Sequence, residues 1–197
     1  MTDGFFETLE SLRHHIGDCR RCALGDTRLK LVFGAGDPGA DIMLVGEAPG
    51  RAEDLSGEPF VGAAGKLLDE LLASVGLTRG QVYIANILKC RPRGNRDPLP
   101  AEIDLCAGFL REQVRLVRPK VLVTLGNHAT RFILGTQAGI TELRGKPVVL
   151  GEATVLPVFH PAAAIYDRSK REVLFEDFRA IAALTGDRAR QPAPEGP

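Results

Sequence analysis

A chain of 197 residues with 44% hydrophobic and 25% charged residues has the composition of an ordinary globular protein, which excludes a fibrous or wholly disordered chain. Lysine and arginine balance aspartate and glutamate at 25 each, so only the placement of charge can point to a polyanionic partner. No apolar run approaches a membrane span, and the opening Met-Thr-Asp-Gly-Phe-Phe-Glu lacks the basic and apolar regions of a signal peptide; a cytoplasmic protein without a membrane partner is expected.

The first predicted element is a helix over residues 5–16, with Phe5, Phe6, Leu9, Leu12 and Ile16 on one stripe leading into Cys19-x-x-Cys22. Residues 41–46 read as a buried strand ending at a turn rich in glycine and proline. Leu67, Leu68, Leu71, Leu72 and Val75 mark a helix closed by Gly76, and a second strand follows over 82–88. Pro100 suits a first helical turn, with Ile103, Phe109, Leu110, Val114 and Val117 as the buried face of the helix behind it. A third strand spans 120–125, a short helix reaches about Leu134, and further strands fall near 148–150 and 154–159. Ser169 and Glu172 have the spacing of a capping box for a last helix whose face is Leu174, Phe178 and Ile181. Beyond Gly186 the chain turns to Arg, Pro, Ala and Gly, which predicts a disordered tail over 186–197 and one domain over 1–185.

Strands alternating with helices predict an α/β fold, a mostly parallel sheet covered on both faces. Ligands in such sheets bind outside the C-terminal strand ends. The residues at those ends are Glu47, Asn86 with the basic loop behind it, Asn127 and His160. A carboxylate, an amide and an imidazole are thereby expected on one rim; Asn127 has only its position in its favour and is left out. His14, His15 and His128 lack such context and read as surface or capping residues.

Gly46-Glu47-Ala48-Pro49-Gly50 forms a rigid turn that can hold a carboxylate in fixed orientation. It fails as a phosphate loop, because Glu47, Glu53, Asp54 and Glu58 would repel phosphate. Gly62-Ala-Ala-Gly65-Lys66-Leu67 is no Walker loop either, lacking Ser or Thr after the lysine. Phe60 lies in a loop and is either minor core or a platform for stacking a base. Asn86 interrupts an apolar strand, so its amide is either satisfied by a loop or reserved for a ligand; an amide suits the edge of a nucleobase. Lys89, Arg91, Arg93 and Arg96 form a stretch without acids, and Arg168, Lys170 and Arg171 form another; both suit phosphate contact.

Cys19, Cys22, Cys90 and Cys106 are all the cysteines of the chain. A Cys-x-x-Cys pair with two distant partners fits one site with four thiolate ligands, tying the N-terminal segment to the body. Disulfides are the alternative, but nothing points to an oxidising compartment. A zinc ribbon would repeat the Cys-x-x-Cys knuckle, whereas residues 91–105 separate the second pair, a spacing that favours an iron–sulfur cluster.

Together Gly-Glu-Ala-Pro-Gly, Asn86 in its strand, Lys-Cys-Arg-Pro-Arg-Gly-Asn-Arg, His160-Pro-Ala-Ala-Ala and the four cysteines resemble the family 4 uracil-DNA glycosylases over roughly residues 10–185. The resemblance implies a three-layer α/β/α sandwich with about four central strands, a [4Fe–4S] cluster on Cys19, Cys22, Cys90 and Cys106, and a monomer acting on uracil-containing DNA. It implies a flipped-out nucleotide, with Phe60 stacking on uracil, Asn86 reading its polar edge, and the backbone of Gly46 and Ala48 against the base. His160 would stabilise charge on the leaving base, and Glu47 would face the sugar and the water, with Glu53 as the other candidate. Arg91, Arg93, Arg96, Arg168 and Lys170 are expected on phosphates, and Ile165 or Tyr166 as a wedge in the vacated stack. A related branch that traps DNA covalently has Gln in the first motif and an extra basic loop; Ala48 and the lack of that loop imply ordinary turnover. The competing expectations are a glycosylase for other deaminated bases such as hypoxanthine, a non-catalytic iron–sulfur DNA-binding accessory, and a nucleotide-binding α/β protein.

Overall fold

The computed structural model describes residues 6–185, so Phe5 and the tail over 186–197 lie outside the described residues. Its centre is strand β2, Ile42–Gly46, a run with no polar side chain that is buried along its whole length because both of its faces are covered. Alternate residues serve opposite layers: Ile42 and Leu44 pack into one core, Met43 and Val45 into the other. Strand β3 (Tyr83–Asn86) runs parallel to β2 on one side, and β4 (Val121–Leu125) runs parallel on the other. Strand β6 (Ala153–Val158) extends the parallel set beyond β4. This four-strand parallel core carries two short antiparallel edges, β1 (Ala35–Gly36) on β3 and β5 (Val148–Leu150) on β6, giving six strands in the order β1-β3-β2-β4-β6-β5.

Helices α3 (Ala63–Ser74) and α8 (Ser169–Thr185) cover one face through Leu67, Leu68, Leu71, Leu174, Phe178 and Ile181. Helices α4 (Pro100–Val117) and α5 (Asn127–Leu134) cover the other through Leu110, Val117 and Ala129. The result is a three-layer α/β/α sandwich. Helix α1 (Leu9–Ile16) sits outside it, with Leu12 and Ile16 buried together with Phe109 of α4. No helix among the described residues is long and apolar enough to cross a membrane.

Local differences from the sequence reading have physical causes. Thr8 caps α1, so the helix starts at Leu9 and leaves Phe6 outside. Residues read as a turn form helix α2 (Arg51–Ser56), because the Glu53 carboxylate accepts from the Gly50 N–H and closes its first turn. The Ser169–Glu172 box is not made: Asp167 accepts from the Ser169 N–H and hydroxyl, and Glu172 pairs with Arg179.

The strand order locates the site. From β2 the chain winds to β3 on one side and then crosses to β4 on the other, so the C-terminal end of β2 is the topological switch point. Glu47 is the residue there.

Candidate active site

The β2–β3 ladder continues past both strands, with Ile87 N–H donating to Gly46 C=O and Leu88 N–H to Glu47 C=O, each at 3.0 Å. Gly46 is also in register with Asn86. These bonds set Glu47 and Asn86 side by side on a rigid edge. A Cβ at Gly46 would lie 2.4 Å from Asn86 Oδ1 and 2.7 Å from Phe60 Cζ, so only glycine fits between the amide and the ring.

Glu47, Glu53, Phe60, Asn86, Arg96 and His160 line one pocket of about 440 Å³, a size suited to a small ligand. The Phe60 and His160 rings stack with centroids 5.6 Å apart. Asn86 is buried, and its Oδ1 is a buried side-chain acceptor left without a hydrogen-bond partner. Such an atom carries a desolvation cost that a donor arriving in the pocket would remove.

Phe60 adopts left-handed backbone, φ 54°, a strained state for a non-glycine residue. Its carbonyl is held by the Arg79 guanidinium, which also donates to Pro59 C=O at 2.9 Å and pairs with Asp69. From the other side, a Cβ at Gly65 would fall 1.7 Å from the Phe60 oxygen. Gly65→Ala is therefore expected to cost about 1–3 kcal/mol, measured by denaturant unfolding, and to displace the Phe60 ring that lines the pocket.

The two acids divide sharply. Glu53 Oε1 accepts from Val61 and Gly62 N–H, both at 2.9 Å, and Oε2 from Gly50 N–H at 3.1 Å. Its carboxylate is used up in pinning the loop that carries Phe60. Glu47 has no such backbone donors; His128 Nε2 stands 3.8 Å from its Oε2. Burial holds the Glu47 carboxyl above its usual range, with His128 acting against that rise and Asp97 adding to it.

His160 Nδ1 accepts from the Ala162 N–H at 3.1 Å. That bond requires an unprotonated Nδ1, so the neutral ring carries its proton on Nε2. Burial pushes the imidazole down to about 4, despite Glu53 nearby, and the ring is neutral at physiological pH.

The four cysteines are free thiols lining a single cavity with Ile16, Leu31, Lys89 and Phe109. Cys19 and Cys22 lie in the loop after α1, Cys90 after β3, and Cys106 on α4. Burial drives Cys90 up to about 12 and raises Cys106, while Arg28 and Lys89 favour their respective thiolates. Arg28 Nη1 donates to Cys19 C=O at 2.6 Å and reaches Cys90 Sγ at 3.5 Å. Four thiols in an apolar shell with cations at its edge fit a cationic group that takes thiolate ligands.

Lys89 belongs to this shell, which corrects the reading of it as part of a surface stretch. Its side chain is buried, with Nζ donating to Asn86 C=O at 2.7 Å and Gln113 Oε1 at 2.6 Å. It braces the strand end that carries Asn86 against α4. Arg28, Lys89 and His128 are the members sequence reasoning missed; basic residues beside a cysteine or a strand end were the only available signal.

Of the basic residues expected on phosphates, Arg93 and Arg168 are exposed, and Arg91 bonds Asn95 at 2.7 Å. Arg96 is half committed elsewhere, its guanidinium bidentate on the buried Glu102 at 2.6 and 2.9 Å. Lys170 pairs with Asp167 at 3.1 Å. Ile165 and Tyr166 protrude from α7 (Ala163–Tyr166), just past His160, with Tyr166 90% exposed. Asn127 bonds the Ile140 N–H at 2.7 Å and points away from the chemistry.

Glu47, Phe60, Asn86 and His160 thus surround one pocket beyond the C-terminal ends of a doubly wound sheet, and residues 33–183 match the family model described as the uracil DNA glycosylase superfamily. Proteins named type-4 uracil-DNA glycosylase are similar over most of the chain. The one from Archaeoglobus fulgidus is 45% identical over 91% of this chain and 94% of its own length. That from Sulfurisphaera tokodaii is 44% identical over 90% and 85%, and that from Thermotoga maritima 42% over 87% and 91%. The chain belongs to the type-4 uracil-DNA glycosylases of this superfamily.

Proposed function

We infer that the protein hydrolyses the N-glycosidic bond of a flipped-out deoxyuridine in DNA, releasing uracil and leaving an abasic site for base excision repair. The observation that carries this reading is the partnerless Asn86 Oδ1 in the pocket bounded by Phe60 and His160. Uracil presents an N3–H donor beside the O4 acceptor, matching the Oδ1 acceptor and Nδ2 donor of one amide. Cytosine presents an acceptor at N3 and a donor at C4, which leaves the same amide mismatched.

Phe60 takes the face of the base and Asn86 its edge. As the bond between C1′ and N1 breaks, its electron pair passes to uracil, and the His160 Nε2–H donates to the oxygen where the negative charge gathers. A neutral imidazole is the right donor here, since it stabilises an anion without having to lose its proton. Glu47, free of backbone donors, lies against the sugar, where its carboxylate offsets the positive charge at C1′ and accepts a proton from the attacking water. Glu53 is assigned to holding the Phe60 loop, since its oxygens already accept three N–H groups. Arg91, Arg93, Arg168 and Lys170 contact phosphates, and Tyr166 or Ile165 fills the gap left by the extruded base.

The cysteines hold a [4Fe–4S] cluster, which supplies a tie between the N-terminal segment, the loop after β3 and α4. A Cys-x-x-Cys pair joined by the widely spaced Cys90 and Cys106, in place of a second Cys-x-x-Cys knuckle, supports the cluster over zinc. Thiolate ligands in place of disulfides fit a reducing, cytoplasmic setting.

Incubation with a uracil-containing oligonucleotide followed by alkali should cleave the strand at the uracil. An intact strand would sink this reading and leave a binding module. The pH profile is a second test. The single-turnover rate should rise from acid through the elevated carboxyl of Glu47, with no separate imidazole limb at pH 6–7, because a His160 already neutral above about 4 has no proton to lose there.

A further inference from the structure

We propose that His128 is a positioning residue for Glu47, and that it and Asp97 form a charge bracket that sets the orientation and proton affinity of the catalytic carboxylate. The proposal rests on the glycosylase reading of the pocket. His128 Nε2 lies 3.8 Å from Glu47 Oε2 and 3.7 Å from Asp97 Oδ2, and one ligand atom from each of the three falls within 4.8 Å of the others.

The fold makes this meeting obligatory. Strands β2 and β4 are neighbours, so the residues just past their C-terminal ends, Glu47 and His128, share the crevice. Asp97 reaches in from the loop before α4. The other charged groups facing the pocket are otherwise occupied or distant in role: Glu53 by three backbone N–H groups, Arg96 by Glu102, and His160 by the Ala162 N–H, while Arg51 is exposed at the start of α2. The Glu47 side chain is thus left with an imidazole as its polar neighbour and an exposed acid behind it. His128 Nε2 in turn lies between two carboxylates, 3.8 Å from Glu47 and 3.7 Å from Asp97. A protonated imidazole lowers the proton affinity of Glu47 and Asp97 raises it, so the two variants should act in opposite directions.

The test is the midpoint of Glu47 ionisation, followed by carbon-13 NMR of its carboxyl with Glu47→Gln as the assignment control, beside pH profiles of single-turnover uracil release. His128→Ala should raise the midpoint and the acid limb by about one pH unit, the size of a screened interaction near 4 Å. It should also lower kcat by about 10- to 10²-fold with KM little changed, as expected of a misplaced carboxylate. Asp97→Asn should move both downward, by less, because Asp97 is 82% exposed. His128→Gln, which keeps an N–H donor without the charge, should restore part of kcat but not the acid limb. Midpoints unmoved in both His128→Ala and Asp97→Asn would overturn the proposal. So would a rate that requires added divalent metal and vanishes with EDTA, since the three side chains would then serve a cation. Wild-type protein that leaves uracil in place would defeat the glycosylase reading instead, and the NMR midpoints would still decide the bracket.

Discussion

Glu47→Gln is expected to slow uracil release by about 10²- to 10⁴-fold while leaving DNA binding and melting temperature close to wild type. Glutamine keeps the shape and the hydrogen-bonding oxygen but not the charge, so the loss reports what an anion contributes at the sugar: about 3–5 kcal/mol of transition-state stabilisation. Folding should be spared, because among the described residues no backbone N–H donates to the Glu47 carboxylate, and its carbonyl, which accepts the Leu88 N–H, is left in place. Glu53→Gln should behave in the opposite way. Its oxygens pin Gly50, Val61 and Gly62, so weakening them loosens the Phe60 loop and raises KM more than it lowers kcat. Single-turnover and steady-state rates on one uracil oligonucleotide measure both. Equal kcat losses in the two variants would mean that the acids share the water, and a Glu47→Gln enzyme with the wild-type rate would remove the role given to it here.

The contrast between the two acids marks the boundary of what the sequence can tell. The ends of β2 and β4 were legible from apolar runs closed by Gly46 and Gly126, and the C-terminal rim rule grouped Glu47, Asn86 and His160 from the sequence. Which acid was free to react was not legible, since that depends on where the N–H groups of residues 50, 61 and 62 point. His128 was hidden for a different reason. Its nearness to Glu47 comes from β2 lying beside β4, and strand order is not written in hydrophobic periodicity. Helix α2 was concealed by Pro49-Gly50, whose turn chemistry masks the Glu53 cap that follows. In the basic stretch, alternate residues had unlike fates: Lys89 is buried against Asn86 and Gln113, Arg96 closes on Glu102, and Arg93 faces solvent. Charge composition alone gave them one role. Of the edge strands, β5 was legible as the run near 148–150, whereas β1, two residues long, carries no periodic signal at all.

Cys90→Ser should destabilise the protein by more than about 4 kcal/mol, a size reserved for the loss of a metal, a cap network or a large core group. For a chain of this length that corresponds to a fall in melting temperature of about 8–16 °C. The reason lies in what surrounds the thiols. The N-terminal helix α1 touches the body mainly through Leu12, Ile16, Phe33 and Phe109, a small satellite core that a tie at Cys19 and Cys22 would hold in place. Without that tie, four thiols, Cys90 buried and the others partly so, line an apolar cavity, and Arg28 is left buried beside a neutral sulfur. The consequence should reach the active site. Cys90 follows Lys89, which braces Asn86, so loosening residues 87–90 should free the amide proposed to read the base. Loss of the brown colour that the proposed cluster would give the wild-type protein, a lowered melting temperature and a raised KM for uracil DNA are expected together in this variant. A colourless Cys90→Ser protein with unchanged KM and melting temperature would show instead that the thiol site is independent of both the fold and the pocket.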